Sequence, residues 1–538
     1  MELEQMSLRS SENGTSHGAL LGELWEAAVR LRGSIEPADY KRYVLPIIFL
    51  RFLSLRYEAR RAEIERLLDD RASDYYSEDL NQREQILEDP DEYRAAGAFI
   101  VPKAARWTSI VEEARRDDLK SHLDDILQSL EDHYPDKLRG LLPRIYAGSN
   151  LDVEDLRGLI NTFSHDVFSH DHDGEDLIGR VYEYFIGEFA NSEGKRGGEY
   201  FTPVSIVRTL VAMLEPREGI VLDPCCGAGG MFVQSDLFTQ HSHQLSFIGQ
   251  ESKDFTYRLG RMNLFIHGLD GHIELANSYF DDRHADVKAD FILANPPFND
   301  GSKSKEGWGA DKIPPTDERL TVNGQRLPLA TRNANTMWIL HFLHHLKDTG
   351  TAGFVMATGE LANAEIARAT VRQVLVESDL VDCIVSLSGQ LFANTQIPCS
   401  LWFLSRNRGG LGGYRDRRGE VLFIDGRSMG ALIPGSRKQK QLSSDEIEQI
   451  SKLYRQFRYE SPPSEQSGFV KVASLDEIRN EQCALAPGRY VGSAEVEEDE
   501  ESLADVLPEL RASILADIDR GRELDDQIRA ALEGLVDG

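Results

Sequence analysis

The sequence predicts an α/β protein: a mostly parallel sheet with helices on both faces, preceded by a helical domain and followed by a helical tail. Three observations lead there. Short apolar runs at 220–222, 245–248, 291–294, 353–357, 383–386 and 400–404 are separated by helical spacers, the pattern of strands joined by crossover helices. Ahead of them, residues 18–165 carry helical apolar spacing at Leu24, Ala28 and Leu31 and again over 110–126, with few strand-like runs. The first apolar run also closes on a glycine-rich turn that opens a helix, as in a Rossmann-like cofactor fold. The expected division is a helical domain over 18–165, the sheet domain over 174–430 and a C-terminal region over 431–538.

Within the sheet domain, Gly198-Glu199-Tyr200-Phe201-Thr202-Pro203 stands before a helix expected over Val204–Leu214, a rigid turn and a helix N-terminus suited to a carboxylate. The run 220–222 then ends in Asp223-Pro224-Cys225-Cys226-Gly227-Ala228-Gly229-Gly230. These glycines let the backbone approach a ligand closely, and Asp223 at the strand end can hold a cationic amino group. The turn lacks both the Gly-x-Gly-x-x-Gly spacing of a dinucleotide fold and the Gly-Lys-Ser/Thr of a phosphate loop. A cofactor with an ammonium and a ribose therefore fits better than one with a pyrophosphate. The next run passes through Gly249 and Gln250 into Glu251, a carboxylate at a strand end, where ribose hydroxyls are commonly held.

The third run ends in Asn295-Pro296-Pro297-Phe298. Two prolines fix φ at about −65° and remove two donors, so the carbonyls around them are rigid and free to accept. The Asn295 side-chain oxygen is a further acceptor. Two hydrogen bonds donated by one amine draw its nitrogen toward sp³ character and free the lone pair for attack. Phe298 offers a face on which a planar ring can stack. The tetrapeptide points to methyl transfer onto a planar amino nitrogen, and alone it leaves adenine N6, cytosine N4 and a protein glutamine amide open.

With these four segments in this order, the chain resembles over nearly its whole length the modification (methyltransferase) subunit of type I restriction-modification systems, an N6-adenine DNA methyltransferase family. Leu24-Trp25-Glu26-Ala27-Ala28, Leu31-Arg32-Gly33 and residues 40–55 carry the likeness at the N-terminus. Leu391-Phe392, Gln396-Ile397-Pro398 and Arg489-Tyr490-Val491 carry it later. The resemblance implies an S-adenosylmethionine-dependent methyltransferase sheet, with S-adenosyl-L-methionine contacted by Glu199, Tyr200, Phe201, Thr202, Pro203, Asp223, Gly227, Ala228, Gly229, Gly230 and Glu251. It implies that Asn295, Pro296, Pro297 and Phe298 hold a flipped adenine, with no metal, because a sulfonium is already an activated donor. It further implies duplex DNA reached through a specificity subunit, two modification subunits per specificity subunit, and a restriction subunit in the full complex. A stand-alone phage-defence methyltransferase and a non-catalytic scaffold subunit are the alternatives. Two segments depart from the family pattern: Gly227-Ala228-Gly229-Gly230-Met231, where many members have Gly-Thr-Ala-Gly-Phe, and Thr358-Gly359-Glu360, where Pro-Asn-Gly is commoner.

Apolar content of 41% and charged content of 28% over 538 residues are those of a soluble globular chain. The longest apolar stretch, 43–55, is interrupted by Arg51 and falls short of a membrane span, and no basic start leads into an apolar core. Five cysteines, at 225, 226, 383, 399 and 483, have no metal-ligand spacing and read as reduced thiols of a cytoplasmic protein. The net charge of −30 opposes duplex binding, which rests on neutralising phosphates with Lys and Arg. Target reading is accordingly expected on another subunit. The sheet is expected to end near Leu404, with the Gly/Arg-rich stretch 406–419 as an extended loop on it. A helix over 507–535 carries an apolar stripe suited to docking on the specificity subunit. The polar stretch 299–335, with Lys303, Lys305, Trp308 and Lys312, is expected to be a long loop that closes over the base or tracks the DNA backbone. His165, Asp166, His170, Asp171, His172 and Asp173 lack recurring ligand spacing and are expected to form a loop rather than a metal site.

Overall fold

The computed structural model describes residues 21–492 except 23, 31–32, 34, 36, 95–97, 165–173, 193–201, 302–306, 393–395, 434–435 and 437. The expected C-terminal docking helix and the histidine cluster at 165–173 lie outside the described residues.

The N-terminal region is built around one long helix, Pro37–Asp69, whose residues 44–55 are all buried. A helix that is apolar all round belongs at the centre of a bundle, and here the helices Leu119–His133, Val153–Phe163 and Gly174–Ser192 surround it with Leu123, Ile160, Phe163 and Phe185. Arg51, which interrupts the apolar stretch, is buried too, with its guanidinium 5.4 Å from the Trp107 ring centre and 3.7 Å from Glu58. The bundle seats on the helix Asp254–Ile266, whose Phe265 ring meets Phe49 at 5.5 Å and Phe99 at 4.5 Å. No described helix is long and apolar enough to cross a membrane.

Nine strands form the central sheet. They are β1 (Gly219–Asp223), β2 (Leu245–Glu251), β3 (Gly271–Leu275), β4 (Ala289–Ala294), β7 (Leu346–Ala357), β8 (Val381–Leu387), β9 (Cys399–Ser405), β10 (Glu420–Gly426) and β13 (Val470–Ser474), in the order β13-β10-β8-β9-β7-β4-β1-β2-β3. Two short hairpins, β5 (Thr321–Val322) with β6 (Gln325–Arg326) and β11 (Ala431–Leu432) with β12 (Lys440–Gln441), lie apart from it. Pairings among β3, β2, β1, β4 and β7 are parallel, whereas β9 runs antiparallel between β7 and β8. The sheet does not end near Leu404. It continues through β10, whose Val421 to Ile424 are wholly buried, to β13, an antiparallel edge strand that buries only Val470 and Ala473. β3 also escapes the apolar-run criterion: an edge strand buries one side chain here, Ile273, and leaves no run to read.

Two expectations about loops are corrected. The Gly/Arg-rich stretch 406–419 is irregular as expected but not wholly superficial: two of its arginines, Arg408 and Arg417, are drawn inward by the buried Asp382 of β8. Arg417 donates to that carboxylate at 3.1 Å, Arg408 pairs with it, and Tyr454 donates its hydroxyl at 2.7 Å. Arg458, stacked 4.7 Å from Tyr414, donates to the carbonyls of Met213 and Leu214 and so caps the C-terminus of the helix Val204–Leu214. The stretch 299–335 is likewise no open loop over its described residues. Trp308, Ile313, Leu320, Val322 and Leu327 bury themselves against Tyr279 and Trp338, because a segment with this many large apolar side chains makes its own small core.

Asp382→Ala strands Arg408 and Arg417 as buried charges, and urea unfolding of the full chain should show a loss of about 3–5 kcal/mol.

Candidate functional site

Parallel pairing brings the carboxyl ends of β1, β2 and β4 to one rim, and a cavity of about 240 Å³ opens there. Asp223 closes β1, is 1% exposed, and accepts the Cys225 amide at 3.0 Å. Burial pushes its carboxyl up to about 7, since desolvation penalises the charged form. Beyond it the chain turns through Gly227 (φ 56°) and Gly229 (φ 79°), left-handed conformations that favour glycine, into the helix Gly230–Phe238. A Cβ at Gly227 or Gly230 would meet nothing within 4 Å, so both leave open space on a rim that lines the cavity. Behind the turn, a Cβ at Gly260 would lie 2.8 Å from the Gly227 carbonyl, and Asn263 donates to the Ala228 carbonyl at 2.9 Å. The helix Asp254–Ile266 therefore presses directly on the turn.

Glu251 ends β2 with its carboxylate spanning the two strand ends: it accepts the Gly227 amide at 3.2 Å and the Lys253 amide at 2.8 Å. Asn295 follows β4. Its Nδ2 donates to Thr202 Oγ1 at 2.9 Å, while among the described residues its buried Oδ1 accepts no hydrogen bond. Pro296 and Pro297 line the same cavity, and Phe298 is set edge-on to Phe392 at 6.1 Å and 77°. Thr202, Asp223, Gly227, Ala228, Gly230, Glu251, Asn295, Pro296 and Pro297 thus share one cavity. Pro203 begins the helix beside it, Gly229 caps the helix behind it, and Phe298 stands at the edge with Phe392. Glu199, Tyr200 and Phe201 lie outside the described residues.

Sequence reasoning passed over several residues of this cavity. Asn277, Ser278 and Tyr279 reach it from the loop after β3, and Ser278 donates to the Pro224 carbonyl at 2.5 Å. Trp338 enters from the helix Asn335–His345, its ring 4.8 Å from Tyr279. Lys41, Leu45, Ile186 and Phe189 close it from the N-terminal bundle. The one legible signal was Gly260, a glycine within a helical pattern, which marks a close backbone approach. A second cluster, Asp282, His341 and His345, has metal-ligand types within 4.8 Å of one another. Arg319 donates to His341 Nδ1 at 3.1 Å, however, and already places a cation against the cluster.

The site suits a cofactor with an ammonium and a ribose: the buried carboxylate, the open glycine turn and the second carboxylate face a common space. An amine donor also finds a ready acceptor in Asn295 Oδ1, since a buried unpaired acceptor costs free energy until it is met.

Residues 173–499 match the family model for N-6 DNA methylase, and residues 20–163 match that for the HsdM N-terminal domain. The chain is 38% identical over 522 residues to the type I restriction enzyme MjaIX methylase subunit of Methanocaldococcus jannaschii, covering 95% of this chain and 91% of that one. It is 36% identical over 461 residues to the HindI methylase subunit of Haemophilus influenzae, covering 81% and 99%. In fold it is similar to the type I restriction-modification methyltransferase subunit from Streptococcus thermophilus, with a TM-score of 0.70 at 23% identity, over 88% of this chain and 99% of that one.

The raised Asp223 carboxyl has a consequence for stability. Between the ordinary carboxylate value of about 3.9 and its folded value of about 7, the folded state holds a proton that the unfolded state releases, so this group's contribution falls as pH rises through that window. Ligand-free Asp223→Asn should be more stable than the parent at pH 8, by about 1 kcal/mol or more, with the difference vanishing below about pH 4. Chemical denaturation at the two pH values checks this.

Proposed function

The chain belongs to the N-6 DNA methylase family, among the methylase subunits of type I restriction enzymes, and from this we propose that its cavity methylates the N6 amine of an adenine flipped out of duplex DNA. The observation that carries the reading is Asn295 Oδ1, a buried acceptor without a partner among the described residues, at the rim shared by Asp223 and Glu251.

S-adenosyl-L-methionine, when bound, supplies a methyl group already activated on a sulfonium. Asp223 would hold the ammonium of the cofactor, and a cation there restores the carboxylate that burial disfavours. Glu251 would accept from ribose hydroxyls with the carboxylate that already bridges the two strand ends. The glycine turn admits the cofactor where any side chain would intrude, and Thr202, which lines the same cavity, would border it with Pro203. Asn295 Oδ1 and the Pro296 carbonyl would accept the two N–H bonds of the amine, turning its lone pair toward the methyl group. Phe298 would stack on the extruded ring, with Phe392 edge-on behind it. Thr202 contributes by position: its hydroxyl accepts from Asn295 Nδ2, which fixes the amide and leaves Oδ1 toward the amine. Positioning and acceptor hydrogen bonds carry the rate on this account.

The acidity of the chain supports a division of labour in which a specificity subunit reads and grips the duplex. Two modification subunits per specificity subunit, joined by a restriction subunit in the full complex, complete the proposed assembly.

Asn295→Ala should lower methyl transfer by at least about 100-fold in single-turnover assays while cofactor affinity, read by calorimetry, stays within about twofold. Near-normal turnover would sink the mechanism. In cells, sequencing for N6-methyladenine should find one split motif methylated only when this chain and its specificity subunit are both expressed; methylation by the chain alone would instead mark a stand-alone enzyme.

A further inference from the structure

The turn that follows the catalytic tetrapeptide is held from behind by a buried polar relay. Asn299, the next residue after Phe298, is in the left-handed region with φ 56°, which asparagine tolerates but does not prefer. Its amide donates to Asn335 Oδ1 at 2.9 Å, and its own Oδ1 accepts from Asn333 Nδ2 at 2.8 Å and from Asn335 Nδ2 at 3.2 Å. Asn335 is fully buried at the start of the helix Asn335–His345 and also donates to Glu360 Oε2 at 3.0 Å. Glu360, 2% exposed, sits in the turn that leaves β7, the strand beside β4, and is gripped by Arg368, whose Nε lies 3.0 Å from both carboxylate oxygens. Arg372 ties that turn in place through the Glu360 and Asn363 carbonyls.

We propose that Asn335 and Glu360 are positioning residues for methyl transfer: together they lock Asn299 in its left-handed conformation and thereby fix where Asn295 and Phe298 present their acceptor and their ring. The proposal rests on the methyltransferase reading of the cavity. Its physical basis is that Asn333, Asn335 and Glu360 are buried and satisfied behind the exposed Asn299, so the anchor that holds the turn has no competing water-bonded arrangement of similar energy. Without the relay the left-handed residue relaxes, and the preceding tetrapeptide shifts with it. A displacement of about 1 Å at a reacting group can cost on the order of 100-fold in rate.

The test compares the parent with Asn335→Ala, Glu360→Ala, Glu360→Gln and Asn299→Gly in the complex with the specificity subunit and its DNA. Three quantities are read: single-turnover rate, cofactor affinity by calorimetry, and fluorescence of 2-aminopurine placed at the target base. Asn335→Ala and Glu360→Ala should slow transfer by about 10- to 100-fold with cofactor affinity within about twofold and altered 2-aminopurine emission. Glu360→Gln keeps an oxygen toward Asn335 and should recover most of the rate that Glu360→Ala loses. Asn299→Gly accepts the positive φ without strain yet loses the side-chain grip, and should be slow while fully folded, which guards against a mere folding defect. Folded variants that transfer at the parental rate would overturn the proposal, as would a loss shared equally by rate and cofactor affinity. A parent complex that transfers no methyl group at all would refute the methyltransferase reading itself, an outcome distinct from either.

Discussion

Parallel pairing of β1 with β2 on one side and β4 on the other is the constraint from which the site follows. Asp223 lies in register with Gly249, and Leu222 with Ile292, so the three strand ends finish within two or three residues of one another. A register slip of one residue would turn each terminal side chain to the opposite face of the sheet. Side chains that cannot be moved that way are the buried ones just before the rim, Val221, Leu222, Ile292 and Leu293, which fill both faces. The same apolar residues that drive the sheet together therefore set the relative heights of the Asp223 and Glu251 carboxylates and the Asn295 amide.

What surrounds the rim is kept in place by charges taken out of water. The helix Val204–Leu214, which starts at the Thr202-Pro203 edge of the cavity, has its far end capped by Arg458. Arg458 in turn belongs to the aromatic and arginine cluster built over Asp382. On the other side of β4, Glu360 and Arg368 brace the turn after Phe298. Each of these pairs would be costly if one member were missing and contributes modestly when complete, so what they supply is a single geometry more than net stability. On the proposed mechanism, a site that works by aiming acceptors at one amine gains more from such rigidity than from additional polar groups in the cavity.

The parts of this arrangement that sequence conveys are those decided by neighbours in the chain. Asp223, Glu251 and Asn295 each close an apolar run, and a polar residue at the end of a buried strand stands out against it. Phe298 is legible because it follows two prolines. Asn335, Glu360, Tyr279 and Trp338 are not legible: they come from three separate segments, the helix Asn335–His345, the turn after β7 and the loop after β3, and only the crossover order of the sheet brings them to the rim. The 299–335 stretch misleads for a related reason. Its polar composition reads as a loop, whereas the burial of Trp308 and Leu320 depends on Tyr279 and Trp338, which a local window does not contain. Arg408 and Arg417 mislead in the same way, since Asp382, their counter-charge, is more than twenty residues upstream. The sheet class survives these errors because it rests on the spacing of apolar runs, which edge strands such as β3 and β13 extend without altering.

The charge of the chain bears on how such a rigid site finds its base. Among the described residues, the buried charged side chains comprise seven arginines and six carboxylates. Over those residues the interior is thus nearly neutral, and their buried charges offset little of the chain's −30 imbalance. An acidic surface raises the cost of approach for a polyanion at every orientation, and it does so most at low salt. On the proposed reading, the same field would also suppress methylation of random sequence, because weak non-specific contacts are what would otherwise hold stray duplex at the cavity. On that same reading, a partner that brings its own basic surface would supply the attraction only where it has read its sequence. Specificity would then arise from the coupling of two surfaces of opposite charge, with this chain needing only to keep its acceptors aimed and its own grip on DNA weak.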